Sequence, residues 1–199
     1  PIVFKNMMIS NGNFVINKRN GYPLLKIKKM SLSIDNLDFT EEDELRKLPF
    51  VFDDYSLKGN DFELFQDEVY KVTAKNIDTE NGKLSVKDFE ILPQVKLKDF
   101  QQKFPNKNLV HFEASELSFN KTELKNNRIS FNEILFSQPK LTLFESKMKK
   151  KRSKKTLPYE LDLKNVIFQN AQFDLKDFDG KQKLSVKNIN ASINDFLVN

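Results

Sequence analysis

The sequence predicts an all-β protein, mainly antiparallel: an elongated, curved sheet of repeated hairpin units with one or two short helices in its insertions. Three observations predict it. The few glycines sit in turn dipeptides: Gly12, Gly21 and Gly82 each follow an asparagine, and Gly180 follows Asp179. Asn-Gly and Asp-Gly accept the positive φ angles of tight turns whose twist matches two antiparallel strands. One apolar spacing recurs four times. The stretch "KLSVK" occurs twice, at 83–87 and 183–187, inside two of those four copies.

The copies align after the turns. "RNGYPLLKIKKMSLSI" carries Leu25, Ile27, Met30 and Leu32, and "ENGKLSVKDFEI" carries Leu84, Val86, Phe89 and Ile91. "NNRISFNEILF" carries Ile129, Phe131, Ile134 and Phe136, and "DGKQKLSVKNINA" carries Leu184, Val186, Ile189 and Ala191. Each time the apolar residues stand at offsets 0, 2, 5 and 7. A helix uses steps of three and four, and a flat strand uses steps of two. A slip of one residue turns all later side chains to the other face unless a bulge absorbs it. Each unit therefore carries a bulge, or a break between two short strands. The segments before the turns repeat too. "NMMISNGNFVI" lies on "NVIFQNAQFDL" without a gap, matching Asn6 to Asn165, Asn11 to Asn170 and Phe14 to Phe173, and "VTAKNID" lies on "FEASELS".

This gives one β-repeat domain over 1–199, with units at about 3–39, 70–95, 110–145 and 159–196. Insertions fill 40–69 and 96–109, and a basic loop fills 147–156. In the first insertion "TEEDELRK" reads as a short helix, a capping Thr followed by acids. "PFVFDDYSLKGNDFELF" reads as a further hairpin turning through Lys58, Gly59, Asn60 and Asp61. In the second, "LKDFQQKFPNKN" puts Leu97, Phe100 and Phe104 on one helical face and stops at Pro105. Pro93 and Pro139 are expected to end strands or lie at sheet edges.

Composition narrows the function. The chain is 39% hydrophobic and 31% charged, enough for a core and for solubility. It has no cysteine, which excludes disulfides, thiolate metal sites and a cysteine nucleophile. No stretch approaches the roughly 18–20 apolar residues of a membrane-spanning helix. Nineteen Phe and no Trp call for dry surfaces, in a core or in a groove for something greasy. The net charge of +5 is local to "KMKKKRSKK". Its Lys149, Lys150, Lys151, Arg152, Lys154 and Lys155 read either as a solvated, mobile loop or as a contact for an anionic membrane surface. No aromatic interleaving or binding motif accompanies them, so no nucleic acid is expected.

Catalytic signatures are missing. His111 is the only histidine and lies in a predicted strand, where it reads as structural. "DLKDFDG" resembles a piece of a calcium loop. With Gly180 at position 6, however, Leu175 and Val186 fall where side-chain ligands are needed, so a hairpin turn is expected. No glycine-rich phosphate loop occurs. The expectation is a non-enzymatic protein with no cofactor, metal or catalytic residue. The chain opens on Pro1 and ends on "DFLVN", and so reads as a fragment of a longer protein whose anchor lies outside it.

The units "NGNFVINKRNGYPLLKIKKMSLSIDNL" and "NAQFDLKDFDGKQKLSVKNINASINDF" share an apolar strand, "N-G/A-x-F-x-h" (h apolar), a polar turn, then "L-x-V/I-x-N/K-h-x-h-S-h-x-D/N". In this the chain resembles the AsmA-like family of bacterial envelope proteins. "FEILP" and "LFSQPKLTLF" are similar to that family's strands ending in proline. The resemblance runs from about 3 to 196. It implies an elongated, curved sheet with an apolar inner face, in the periplasm or envelope of a Gram-negative bacterium. It also implies a role in phospholipid movement or outer-membrane lipid homeostasis. Implied partners are phospholipid, an anionic membrane surface or other envelope proteins. In a lipid-lined sheet one face of alternating apolar side chains meets acyl chains rather than a second layer. The candidates for that face are Phe14, Ile16, Leu25, Ile27, Leu84, Val86, Ile129, Phe131, Phe173, Leu175, Leu184 and Val186; ordinary core packing is the competing reading of each. The alternative function is an envelope or surface β-repeat module that binds a protein or glycan by its edges and loops.

Overall fold

The structure is a computed structural model that describes residues 2–39, 53–65, 67–125, 128–148 and 160–198. It is nearly all β. The strands are β1 (Ile2–Asn17), β2 (Pro23–Phe39), β3 (Tyr55–Phe65), β4 (Tyr70–Glu80), β5 (Lys83–Pro93), β6 (Leu109–Lys125), β7 (Arg128–Ser137), β8 (Lys140–Phe144), β9 (Glu160–Lys176) and β10 (Gln182–Val198). One helix, α1 (Leu97–Lys103), lies between β5 and β6.

All ten strands form one sheet in the order β1-β2-β3-β4-β5-β6-β7-β9-β10, with β8 paired to β6 and β9. β7 and β8 together line the whole of β6: β6 pairs its second half with β7 and its first half with β8. Every junction is antiparallel except that of β7 and β8 with β9, which is parallel.

The recurrent slip has a single physical cause in most strands. Asp88 has φ 50°, Lys29 has φ 48° and Asn188 has φ 55°. Each stands between the second and third apolar positions of its copy. A left-handed residue there rotates the chain by one position, so Leu84, Val86, Phe89 and Ile91 all stay on one face. Asn, Asp and Lys without a β-branch accept this conformation at modest cost.

These residues line up across the sheet. Asp61 (φ 48°) stands opposite Lys75, Lys75 opposite Asp88 and Asp88 opposite Ser115, as the flanking register shows. Gln138 (φ 49°) follows at the β7–β8 break, then Asn170 (φ 53°), then Asn188. Asn11 (φ 54°) and Lys29 continue the line at the other end. The result is a crease perpendicular to the strands. Side chains serve the backbone groups it loosens: Asn11 N–H donates to Ser31 Oγ (3.4 Å), Lys29 N–H to Asn13 Oδ1 (3.3 Å), and Asn170 N–H to Asn190 Oδ1 (2.9 Å).

Three expectations need correction. Asn11-Gly12 is not a turn; β1 runs through it, and Asn11 is a left-handed residue at a register shift. Lys58-Gly59-Asn60-Asp61 is not a turn either. β3 is continuous there, between β2 and β4, and Gly59 is needed because a Cβ would lie 2.5 Å from Ile27 Cγ2. The copy beginning at Ile129 shows no left-handed residue and no register shift at its slip. In that strand the left-handed residue is Gln138, and the spacing recurs at Ile134, Phe136, Pro139 and Leu141. Pro139 stands between the end of β7 at Ser137 and the start of β8 at Lys140, so it ends a strand as expected, buried in mid-sheet.

Other expectations hold. Asn81 (φ 44°) and Gly82 (φ 78°) make the β4–β5 turn. The segment after Asp174 turns through Asp177–Gly180, with Gly180 N–H donating to Asp177 O (3.0 Å). Pro93 closes β5, and α1 ends before Pro105 with Phe104 as its cap residue. The helix expected over 40–47 lies outside the described residues.

Candidate functional site

Cross-strand pairs and the crease sort the side chains of the sheet onto two faces. One face is apolar along every strand. At the level of Leu84 it presents Leu57, Leu84, Phe119, Ile134, Val166 and Ile193, with Thr79 between Leu57 and Leu84. Two residues further along come Ile77, Val86, Leu117, Phe136 and Phe168, and beyond the crease Ile27, Phe62, Ala74, Phe89 and Ala114. The last complete row is Ile16, Leu25, Leu64, Val72, Ile91, Phe112, Leu141, Phe173 and Val186. An aromatic ladder crosses its centre. Ring centroids of Phe89 and Phe112 are 6.0 Å apart, those of Phe112 and Phe136 are 6.2 Å, and Phe136 stacks on Phe168 at 4.9 Å. Edge-to-face and offset stacks of this kind hold rings in place.

The face has little cover. Ala74, Val86, Ala114 and Leu117 are buried, but Phe62, Ile77, Phe89, Phe112, Phe119 and Phe136 around them are only half-buried. Among the described residues no large side chain falls below 2% exposure. A closed two-layer sandwich buries both inner faces; here the apolar side chains lean on each other in one layer.

Most of the predicted lipid-facing residues lie on this face. Phe14 pairs with Ile27 and Ile16 with Leu25 in the first hairpin; Phe173 pairs with Val186 and Leu175 with Leu184 in the last. Leu84 and Val86 occupy the middle. Phe131 reaches Phe119, centroids 5.5 Å apart. Ile129 lies in β7, paired with Leu124 and Leu161, and its side chain is outside the described residues. The sequence reading missed Phe62, Phe112 and Phe168 as members. A usable signal was present: Phe112, Ala114, Leu117 and Phe119 repeat the same 0, 2, 5, 7 spacing.

The opposite face is polar. α1 covers one end of it, where Phe100 packs on Val69 and Leu109, flanked by Val95, Leu97, Phe104 and Phe144. Between α1 and the crease runs a charge ladder. Glu63 pairs with Lys71 (2.6 Å) and Lys26 (4.0 Å), His111 Nε2 with Glu90 (2.7 Å), and Lys140 with Glu113 (3.0 Å). Further along, Gln172 donates to Asp174 (2.6 Å). The Ser185 hydroxyl opposite Asp174 lowers its pKa below the usual 3.8, outweighing the raising effect of burial; Gln172, Lys140 and Lys176 add to the lowering. Shallow hollows of about 310, 420 and 510 Å³ follow the crease, lined by residues such as Lys28, Asp61, Lys75, Asp88, Ser115 and Gln138.

Glu90, His111 and Glu113 bring three ligand-type atoms within 4.8 Å of one another. Glu90 and Glu113 are direct cross-strand neighbours, an unfavourable like-charge placement. Lys140 offsets it by pairing with Glu113, and His111 Nε2 shares a hydrogen bond with Glu90. The contacts among the three and Lys140 are accounted for by one ion pair and one hydrogen bond.

The six basic candidates, Lys149 to Lys155, lie outside the described residues. Just before them Lys147 is exposed, its Nζ 5.9 Å from the centroid of the Phe178 ring. No helix among the described residues is long and apolar enough to cross a membrane. The chain matches no family profile, no curated protein and no solved structure.

Proposed function

We propose that this chain is a non-enzymatic domain of an AsmA-like envelope protein, resident in the periplasm of a Gram-negative bacterium, that binds or conducts lipid. The observation that carries this reading is the single apolar face of the sheet, which no second layer covers among the described residues. Each acyl CH₂ taken from water onto such a face is worth about 0.8 kcal/mol, and the sheet offers room for whole chains. Lipid headgroups would stay at the margin of that face. The family resemblance adds to the reading, because its two best copies are the hairpins β1–β2 and β9–β10.

The test is direct. The domain is purified from cells, extracted with organic solvent and assayed for phospholipid by mass spectrometry. Co-purifying phospholipid is expected, and replacing Phe112 and Phe136 together by Ser should reduce it. An extract free of phospholipid would overturn the reading. Replacing Lys149, Lys150, Lys151, Arg152, Lys154 and Lys155 by Ser should weaken sedimentation with anionic vesicles at low salt.

A further inference from the structure

The first and last hairpins are the same structure at opposite edges of the sheet. Every pair in β1–β2 has its counterpart in β9–β10 by one constant offset: Met7↔Ile34 answers to Val166↔Ile193, Gly12↔Met30 to Ala171↔Ile189, Ile16↔Leu25 to Leu175↔Leu184. The left-handed residues coincide as well, Asn11 with Asn170, Lys29 with Asn188 and Asn36 with Asp195. β10 is therefore the twin of β2. The outer edge of β2 is taken by an antiparallel strand, β3. Among the described residues no strand pairs with the same edge of β10.

Exposure records the difference. Ile27 in β2 is 7% exposed and its twin Val186 is 41% exposed. Leu184 and Ile193 are exposed, whereas their twins Leu25 and Ile34 are half-buried. A long, open edge with alternating apolar residues and no proline is a template for another strand. The twin shows that this edge accepts an antiparallel one.

We propose that β10 pairs with β10 of a second copy of this chain about a two-fold axis at Ala191. Two-fold pairing makes the strands antiparallel by symmetry, the mode the twin uses. Seven apolar residues of β10 stand symmetrically about Ala191: Leu184, Val186, Ile189, Ala191, Ile193, Phe196 and Val198; Leu197, opposite Ser185, is the exception. In that register Ile189 stands opposite Ile193 of the second copy, Val186 opposite Phe196 and Leu184 opposite Val198. Lys187 then stands opposite Asp195, so the one cross-strand charge pair in the register is attractive. An axis perpendicular to the sheet keeps both apolar faces on the same side, which doubles the face. β1 is the poorer candidate. Its twin β9 accepts β7 and β8 in parallel, an orientation that two-fold pairing of β1 cannot supply. The inference is independent of lipid binding; it needs only the edge.

The test uses the absence of cysteine from the chain. Ala191→Cys places two thiols at directly opposed positions on the axis and should give a disulfide-linked dimer under mild oxidation. Ile9→Cys, on the open β1 edge, should not. Analytical ultracentrifugation of the unmodified chain should show a concentration-dependent dimer, and Ile193→Lys should shift it to monomer with an unchanged circular dichroism spectrum. A chain that sediments as monomer at its highest soluble concentration, or one that cross-links through Ile9→Cys and not through Ala191→Cys, overturns the proposal.

Discussion

The hairpins β1–β2 and β9–β10 share a backbone and differ in almost every measure of burial. Val15 and Val3 of the first hairpin are 53% and 54% exposed, while their twins Asp174 and Asp162 are 7% and 8% exposed. The usual preference is inverted: valine sits in water and aspartate in the interior. Residue type does not set burial here. β7 and β8 lie along β9, and among the described residues no strand lies along the outer edge of β1. The comparison teaches that a position in this repeat has no fixed environment; its neighbouring strand supplies one.

Substitutions can break that comparison. Ile27→Ala should cost about 2–4 kcal/mol, since it empties a site enclosed between β1 and β3. Val186→Ala, at the twin position, should change the monomer by about 0.5 kcal/mol or less. Thermal unfolding of the two variants at low concentration checks this, and equal losses would contradict the role given to β3. Gly59→Ala should cost about 1–3 kcal/mol by overpacking, because its Cβ would meet Ile27 Cγ2 at 2.5 Å. In an Ile27→Ala background that cost should largely vanish, a coupling that a double-mutant cycle reads directly.

Smaller effects sharpen it. Lys29→Gly should stabilise by about 1 kcal/mol, because glycine takes a left-handed φ without a Cβ penalty. The twin change Asn188→Gly should gain less, since Asn tolerates that region better. Denaturant midpoints of the two variants check the order. The smallest effect is a titration. The pKa of Asp174 is lowered in the folded state, so its contribution to stability is present above its unfolded value near 3.8 and is lost as pH falls through the folded value. Ser185→Ala should raise the Asp174 pKa and move the acid limb of stability upward, as carboxyl chemical shifts against pH would record. The first hairpin has Val15 there and offers no such titration.

Much of the sheet was legible in the sequence because a left-handed residue leaves a trace in the apolar pattern. The 0, 2, 5, 7 spacing marks the flip at Lys29, Asp88 and Asn188 wherever it occurs, and it placed Leu84, Val86, Phe173 and Leu184 on one face. The glycine signal was less faithful. Asn11-Gly12 looks like a hairpin turn because turns and left-handed strand residues select the same dipeptide. Gly59 looks like a turn because nothing local reveals that Ile27, in another strand, needs the space. Gln138 went unnoticed because glutamine carries no turn signature. The crease as a line, and the aromatic ladder from Phe89 to Phe168, depend on register between strands distant in sequence, which no single segment encodes.

The parallel junction has a consequence for how the chain folds. From β1 to β7 each strand pairs with the one before it, and β8 turns back to pair with β6, so the sheet can grow by adding near neighbours in sequence. β9 begins beside Arg128, whereas β8 ends at Phe144 beside Lys176. The last hairpin pairs within itself at low sequence separation, whereas its junction with β7 and β8 is parallel and needs a crossover in place of a tight turn. Parallel pairing across such a connection is intrinsically slow, so the hairpin is expected to close on itself before it docks, and its docking to be slower than the antiparallel steps.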